Sequence, residues 1–68
     1  MAVTKIIELV GESPKTWEEA TMNVIAEAKK TVRGITRIRI EEFDVRIDGD
    51  NIAFRVRAKI AFRIERST

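Results

Sequence analysis

From residue 52 to residue 64 every second position is apolar: Ile52, Phe54, Val56, Ala58, Ile60, Phe62 and Ile64. A period of two is the signature of a half-buried strand. The intervening Ala53, Arg55, Arg57, Lys59, Ala61 and Arg63 are small or cationic, so one face of this strand builds a core and the other is a basic stripe. At about 3.3 Å per residue a strand over residues 51–65 is more than about 40 Å long. The rest of the chain must wrap around it.

Residues 3–10, Val-Thr-Lys-Ile-Ile-Glu-Leu-Val, are rich in β-branched types and predict a first strand that Gly11 terminates. Gly11-Glu12-Ser13-Pro14 reads as a turn. Thr16-Trp17-Glu18-Glu19 then has the spacing of a reciprocal capping box, Thr16 with Glu19, which starts a helix. Trp17, Ala20, Val24, Ala28 and Val32, flanked by Thr21, Ile25 and Thr31, recur as one apolar stripe. Lys29, Lys30 and Arg33 suit the negative end of the helix dipole, and Gly34 suits the C′ position. The helix is predicted over residues 16–33.

A second extended stretch covers residues 35–47, but its apolar positions change phase from Ile38 and Ile40 to Phe43, Val45 and Ile47. Only an inserted residue allows that, and it places a β-bulge at Glu41-Glu42. Asp48-Gly49-Asp50-Asn51 closes a hairpin back into the last strand, with Gly49 free to take positive φ. The result is an α+β chain, β-α-β-β, a three-stranded sheet of order 1-3-2 wrapped on one helix. A right-handed crossover makes the first two strands parallel to each other and antiparallel to the last. Phe54 and Phe62 fall on the helix-facing side. On the uncovered side Arg37 and Arg39 come near Lys59 and Ala61, and such like charges are expected to meet carboxylates of a neighbouring subunit or an anionic ligand.

A chain of 68 residues is one domain, residues 1–68, and buries little surface by itself. Without cysteine or histidine it has neither disulfides nor soft metal ligands, which makes oligomerisation the expected route to stability. No apolar run approaches the roughly 20 residues of a membrane span and no signal-like segment opens the chain, so the expectation is a cytoplasmic protein with no membrane partner. The net charge of +2 hides segregation, with acids mainly before residue 51 and bases in the last strand. Nucleic acid is disfavoured, because the basic face carries no aromatic side chain on which a base could stack.

The succession resembles the dodecins. Ile7-Glu8-Leu9-Val10-Gly11, Ser13-Pro14 and Thr16-Trp17-Glu18-Glu19-Ala20 match that family's opening, Lys30-Thr31-Val32-Arg33 its helix end, and Phe54-Arg55-Val56 with Lys59-Ile60-Ala61-Phe62-Arg63-Ile64-Glu65 its closing strand. The resemblance implies a homododecamer, a hollow sphere whose interior sheet faces hold flavin between paired tryptophans with a glutamine at the ring edge. The tryptophan position falls on Arg37 and the glutamine position on Arg55. Both ligand-specific positions have changed while the scaffold has not, which implies weak or lost flavin binding. In these respects the chain is similar to a tryptophan-less branch of the family associated with calcium.

The candidate ligand-binding residues are therefore Arg37, Arg39, Arg55, Arg57 and Lys59, and the resemblance adds Arg63 and Glu65 as assembly candidates. The family admits flavin (FMN or riboflavin) or calcium as ligand, and the arginines favour an anion such as FMN or coenzyme A. An alternative is a flavin-free structural assembly that binds calcium or another ion. Trp17 lies on the apolar stripe and reads as packing. Asp44, Asp48, Asp50 and Asn51 lack the spacing of a twelve-residue calcium loop and read as a solvated hairpin, so no metal ligand is assigned. Glu41 and Glu42 are discounted as a catalytic pair because neighbours in a strand point to opposite faces, and no nucleophile arrangement accompanies them. The chain does not read as an enzyme.

Overall fold

The computed structural model describes residues 2–65, without the side chains of Ala2 and Glu65. Its elements are β1 (Ala2–Ser13), α1 (Trp17–Thr31), β2 (Ile35–Asp48) and β3 (Asn51–Glu65). β3 lies between the other two strands, antiparallel to both. The period-two strand is thus the axis of the sheet, and the molecule is elongated, 55 × 18 × 15 Å.

Alternation sorts the two faces of β3 as expected. Val56, Ala58 and Ile60 are fully buried beneath Ala20, Val24 and Ala28 of α1, and Ile7, Leu9, Ile35, Ile38 and Ile40 close the core from the flanking strands. Phe54 and Phe62 share that face but are only half-buried, because α1 is shorter than the strand it covers. Beyond the N-terminal end of α1 the hairpin leaves an apolar overhang in which Phe43 is 56% and Ile47 72% exposed.

Gly11 does not terminate β1, which continues two residues further and pairs Glu12 with Arg55 and Ser13 with Phe54. The glycine is there for contact. A Cβ at Gly11 would fall inside van der Waals distance of the Ala20 carbonyl oxygen and Val24 Cγ2, so its absence lets α1 lie against the strand.

The capping box forms only in half. Thr16, in extended conformation, accepts from the Glu19 amide at 3.0 Å. Glu19 turns instead to the buried Ser13, whose hydroxyl donates to Glu19 Oε1 at 2.7 Å and accepts from the amides of Lys15 and Thr16 at 3.0 and 3.3 Å. One serine therefore satisfies donors that the helix start would otherwise leave orphaned. At the other end α1 stops two residues earlier than expected, with Val32 extended as its cap. Gly34 does take positive φ, +73°, but it lies beyond C′, where its carbonyl accepts from the Arg63 amide at 2.9 Å.

The phase change in β2 is a bulge at the expected place, Glu41 being the residue without a partner between the Ile40–Ala58 and Glu42–Arg57 pairs. A second irregularity at Thr36 goes beyond the expected bulge, and the pattern carries it in the same way: Ile35 and Ile38 both pack on the core but are of opposite parity. The hairpin turns through Gly49 and Asp50, with Gly49 at φ +64°.

Candidate functional site

Four rows of side chains cross the face of the sheet that α1 leaves open. Register places Ile6, Ala61 and Arg37 in one row, Glu8, Lys59 and Arg39 in the next, then Val10, Arg57 and Glu42, and Glu12, Arg55 and Asp44 further toward the hairpin. All five candidate ligand-binding cations belong to this face. The expectation that counter-charges come from outside the chain is corrected for Arg39 and Lys59, because β2 itself supplies carboxylates beside the basic strand.

Four of the five cations are paired within the chain. Arg57 reaches Glu42 at 3.4 Å, Arg55 reaches Asp44 at 3.6 Å, and Glu41 holds Arg39 at 2.9 Å and Lys59 at 3.7 Å. All are at least partly exposed, and such pairs contribute about 0–1 kcal/mol each. Their effect is to neutralise the face more than to hold it together. Among the described residues Arg37 makes no ion pair. The Nε of Arg55 is buried without a hydrogen bond, since 3.6 Å from Asp44 is beyond hydrogen-bonding reach.

Alternation, which would send Glu41 and Glu42 to opposite faces, does not hold at a bulge. Because two residues of β2 oppose one of β3 there, both carboxylates project to the open face, where each meets a cation. The sequence held the signal, since the same phase change that locates the bulge also cancels the alternation.

Arg37 borders a concavity of about 90 Å³ lined by Ile6, Arg39, Lys59 and Ala61. Pockets for drug-sized ligands start near roughly 300 Å³. The concavity is smaller than that, with apolar walls and a cationic rim.

Trp17 is a packing residue, as its place on the helix stripe suggests. Its ring meets Phe54 and Phe43 edge-on, with centroids 4.9 and 6.2 Å away, and its Nε1 donates to the Asp44 carbonyl at 3.2 Å. It ties the start of α1 to the hairpin. Arg63 is exposed and, among the described residues, carries no ion pair. The Glu65 side chain lies outside the described residues. No group of three carboxylates able to hold a metal forms among the described residues, nor is any helix long and apolar enough to cross a membrane.

A β-α-β-β sheet wrapped on one helix, with a charged open face, defines a small α+β fold. The family model described as Dodecin matches residues 3–65, and the chain belongs to the dodecin family. A curated relative, the calcium dodecin of Mycobacterium tuberculosis, is 31% identical over 65 residues, covering 94% of this chain and 92% of that protein. The crystal structure of that protein, described as calcium-chelating with a novel calcium-binding site, matches with a TM-score of 0.83 at 30% identity, over 97% of this chain and 96% of that one. Dodecin from Streptomyces coelicolor matches with a TM-score of 0.84 at 25% identity, over 97% and 96% of the two chains. Membership brings small-ligand binding and oligomeric architecture as family properties, and nothing among the described residues points to catalysis.

Proposed function

We propose that this chain assembles as a homododecameric shell that sequesters a small ligand on its open sheet faces, and that the ligand is an anion rather than neutral riboflavin. One observation carries the reading: Arg37 borders an apolar-walled concavity and, among the described residues, has no carboxylate to neutralise it. The concavity is too small for a flavin within one chain, so copies must complete it. Arg37 and Arg55 stand where the family stacks and edges the flavin ring. A guanidinium gives charge-assisted, bidentate hydrogen bonds to phosphate or carboxylate, which riboflavin lacks and which FMN and coenzyme A carry. Arg39, Arg55, Arg57 and Lys59 contribute in so far as a ligand displaces their internal partners. Arg63 and Glu65 are assigned to contacts between copies, and the shell acts without catalysis in the cytoplasm.

A second reading has support in the relative named for calcium. Hard oxygen donors are present on the open face, and copies would have to pool them, because one chain gathers no adequate set among the described residues. Native mass spectrometry combined with fluorescence titration tests both. The expected result is a twelve-subunit mass, FMN bound better than riboflavin, and FMN affinity falling as salt is added. Tight, salt-insensitive riboflavin binding overturns the anionic reading, and a retained mass of about 40 Da per site, lost on chelation, replaces it with calcium.

A further inference from the structure

The bulge in β2 adds one extra carboxylate, Glu41, to the open face, against two of the cations that line the concavity. Glu41 is the least exposed member of its cluster, its side chain 27% exposed against 70% for Arg39 and 48% for Lys59. Its two oxygens are divided between those cations, Oε2 at 2.9 Å from Arg39 Nε and Oε1 at 3.7 Å from Lys59 Nζ. Arg39 and Lys59 both line the concavity that Arg37 borders. An anion entering there meets one unneutralised guanidinium and two cations already occupied.

We infer that Glu41 is an internal counter-anion that competes with the ligand for Arg39 and Lys59, and so sets both the affinity and the charge selectivity of the site. The inference rests on the anionic reading of the site given above. A ligand with one negative group is served by Arg37 alone and leaves the Glu41 bridge in place. A ligand with two or more, such as pyrophosphate or the phosphate of FMN in its doubly ionised form, gains further by displacing Glu41 from one or both cations. The cost of displacement is small because the bridge is partly exposed. Glu42 does not share this role, since it pairs with Arg57.

The test uses the full-length assembled protein with FMN and riboflavin as fluorescent probes and pyrophosphate as competitor, at low and high ionic strength. Glu41→Gln keeps the shape of the side chain and removes its charge. The expected result is FMN and pyrophosphate bound about fivefold more tightly at low salt, the amount that relief of a pair worth up to about 1 kcal/mol releases. Riboflavin affinity is expected to stay unchanged. In the Glu41→Gln background Lys59→Gln should weaken FMN binding more than it does in the parent, because only there is Lys59 available. Glu41→Asp, one methylene short of bridging both cations, should fall between parent and Glu41→Gln, and is the variant to read if the latter does not assemble. Equal FMN affinity in the parent and both variants, or the same shift for riboflavin as for FMN, overturns the inference and leaves Glu41 a structural pair. Failure of the parent and of Glu41→Gln to bind any anion overturns the anionic reading itself, and this inference with it.

Discussion

Gly11 and Arg37 are single positions where side-chain size and charge decide what the surrounding structure can do. At Gly11 one added methyl meets a backbone carbonyl and a valine of α1. Gly11→Ala is expected to cost about 1–3 kcal/mol, the usual range for overpacking, and toward its upper end because a carbonyl cannot rotate away. A urea melt checks it, and an unchanged midpoint would mean that the helix lies further off than the structure has it. Under the proposed function Arg37 stands in place of the aromatic platform on which the family stacks flavin. Arg37→Trp restores a ring face worth roughly 0.5–1.5 kcal/mol per stacked pair beyond the area it buries, so riboflavin affinity should rise severalfold or more in a fluorescence titration. If the parent already stacks the ring through its guanidinium, the substitution changes little. Neither residue could be fully read from the sequence. Gly11 looked like a terminator, because composition does not reveal what approaches a backbone from another element. Arg37 was legible as the exchanged ligand position, but its lack of an internal partner depends on strand register.

Between residue and fold, the elements show where pattern is a sufficient guide and where it stops. The four elements, their order and the bulge at Glu41 follow from hydrophobic phase alone, because burial on one face enforces the period in every strand. Termini are set by local hydrogen bonds, which compete. The capping box expected between Thr16 and Glu19 yields its second half to Ser13, a residue that the sequence places in a turn and the structure places, buried, at the end of β1. Three hydrogen bonds converge on that hydroxyl. Removing it leaves buried polar groups without partners, at about 1–3 kcal/mol, whereas Thr16→Ala forfeits one cap bond at about 1 kcal/mol. Ser13→Ala is therefore expected to lower the melting temperature more than Thr16→Ala. The reverse order in calorimetry would return the helix start to the simple box. The open face illustrates the same limit, since the cations of β3 are visible in sequence while the carboxylates opposite them belong to strands paired through register.

For the molecule as a whole, the balance of buried and exposed apolar surface argues that one chain is not the finished structure. Only a short stretch of the core is closed, around Val56, Ala58 and Ile60, while Phe43, Val45, Ile47 and Ile52 stand exposed where the hairpin outruns α1. Contiguous apolar surface of this kind on a small protein marks a contact site, and under the proposed assembly a neighbouring subunit covers it. Ile47, 72% exposed in the isolated chain, touches little within it. Ile47→Asp should therefore leave the fold of one chain nearly intact while placing an unpaired carboxylate in the contact between copies, where desolvation costs several kcal/mol. Size-exclusion chromatography with light scattering is expected to give a dodecamer for the parent and smaller species for the variant, with the circular dichroism spectrum retained. A parent mass below six subunits in dilute neutral buffer removes the shell. A variant that elutes with the parent moves the contact elsewhere, and Arg63, exposed at the far end of β3, becomes the next position to change.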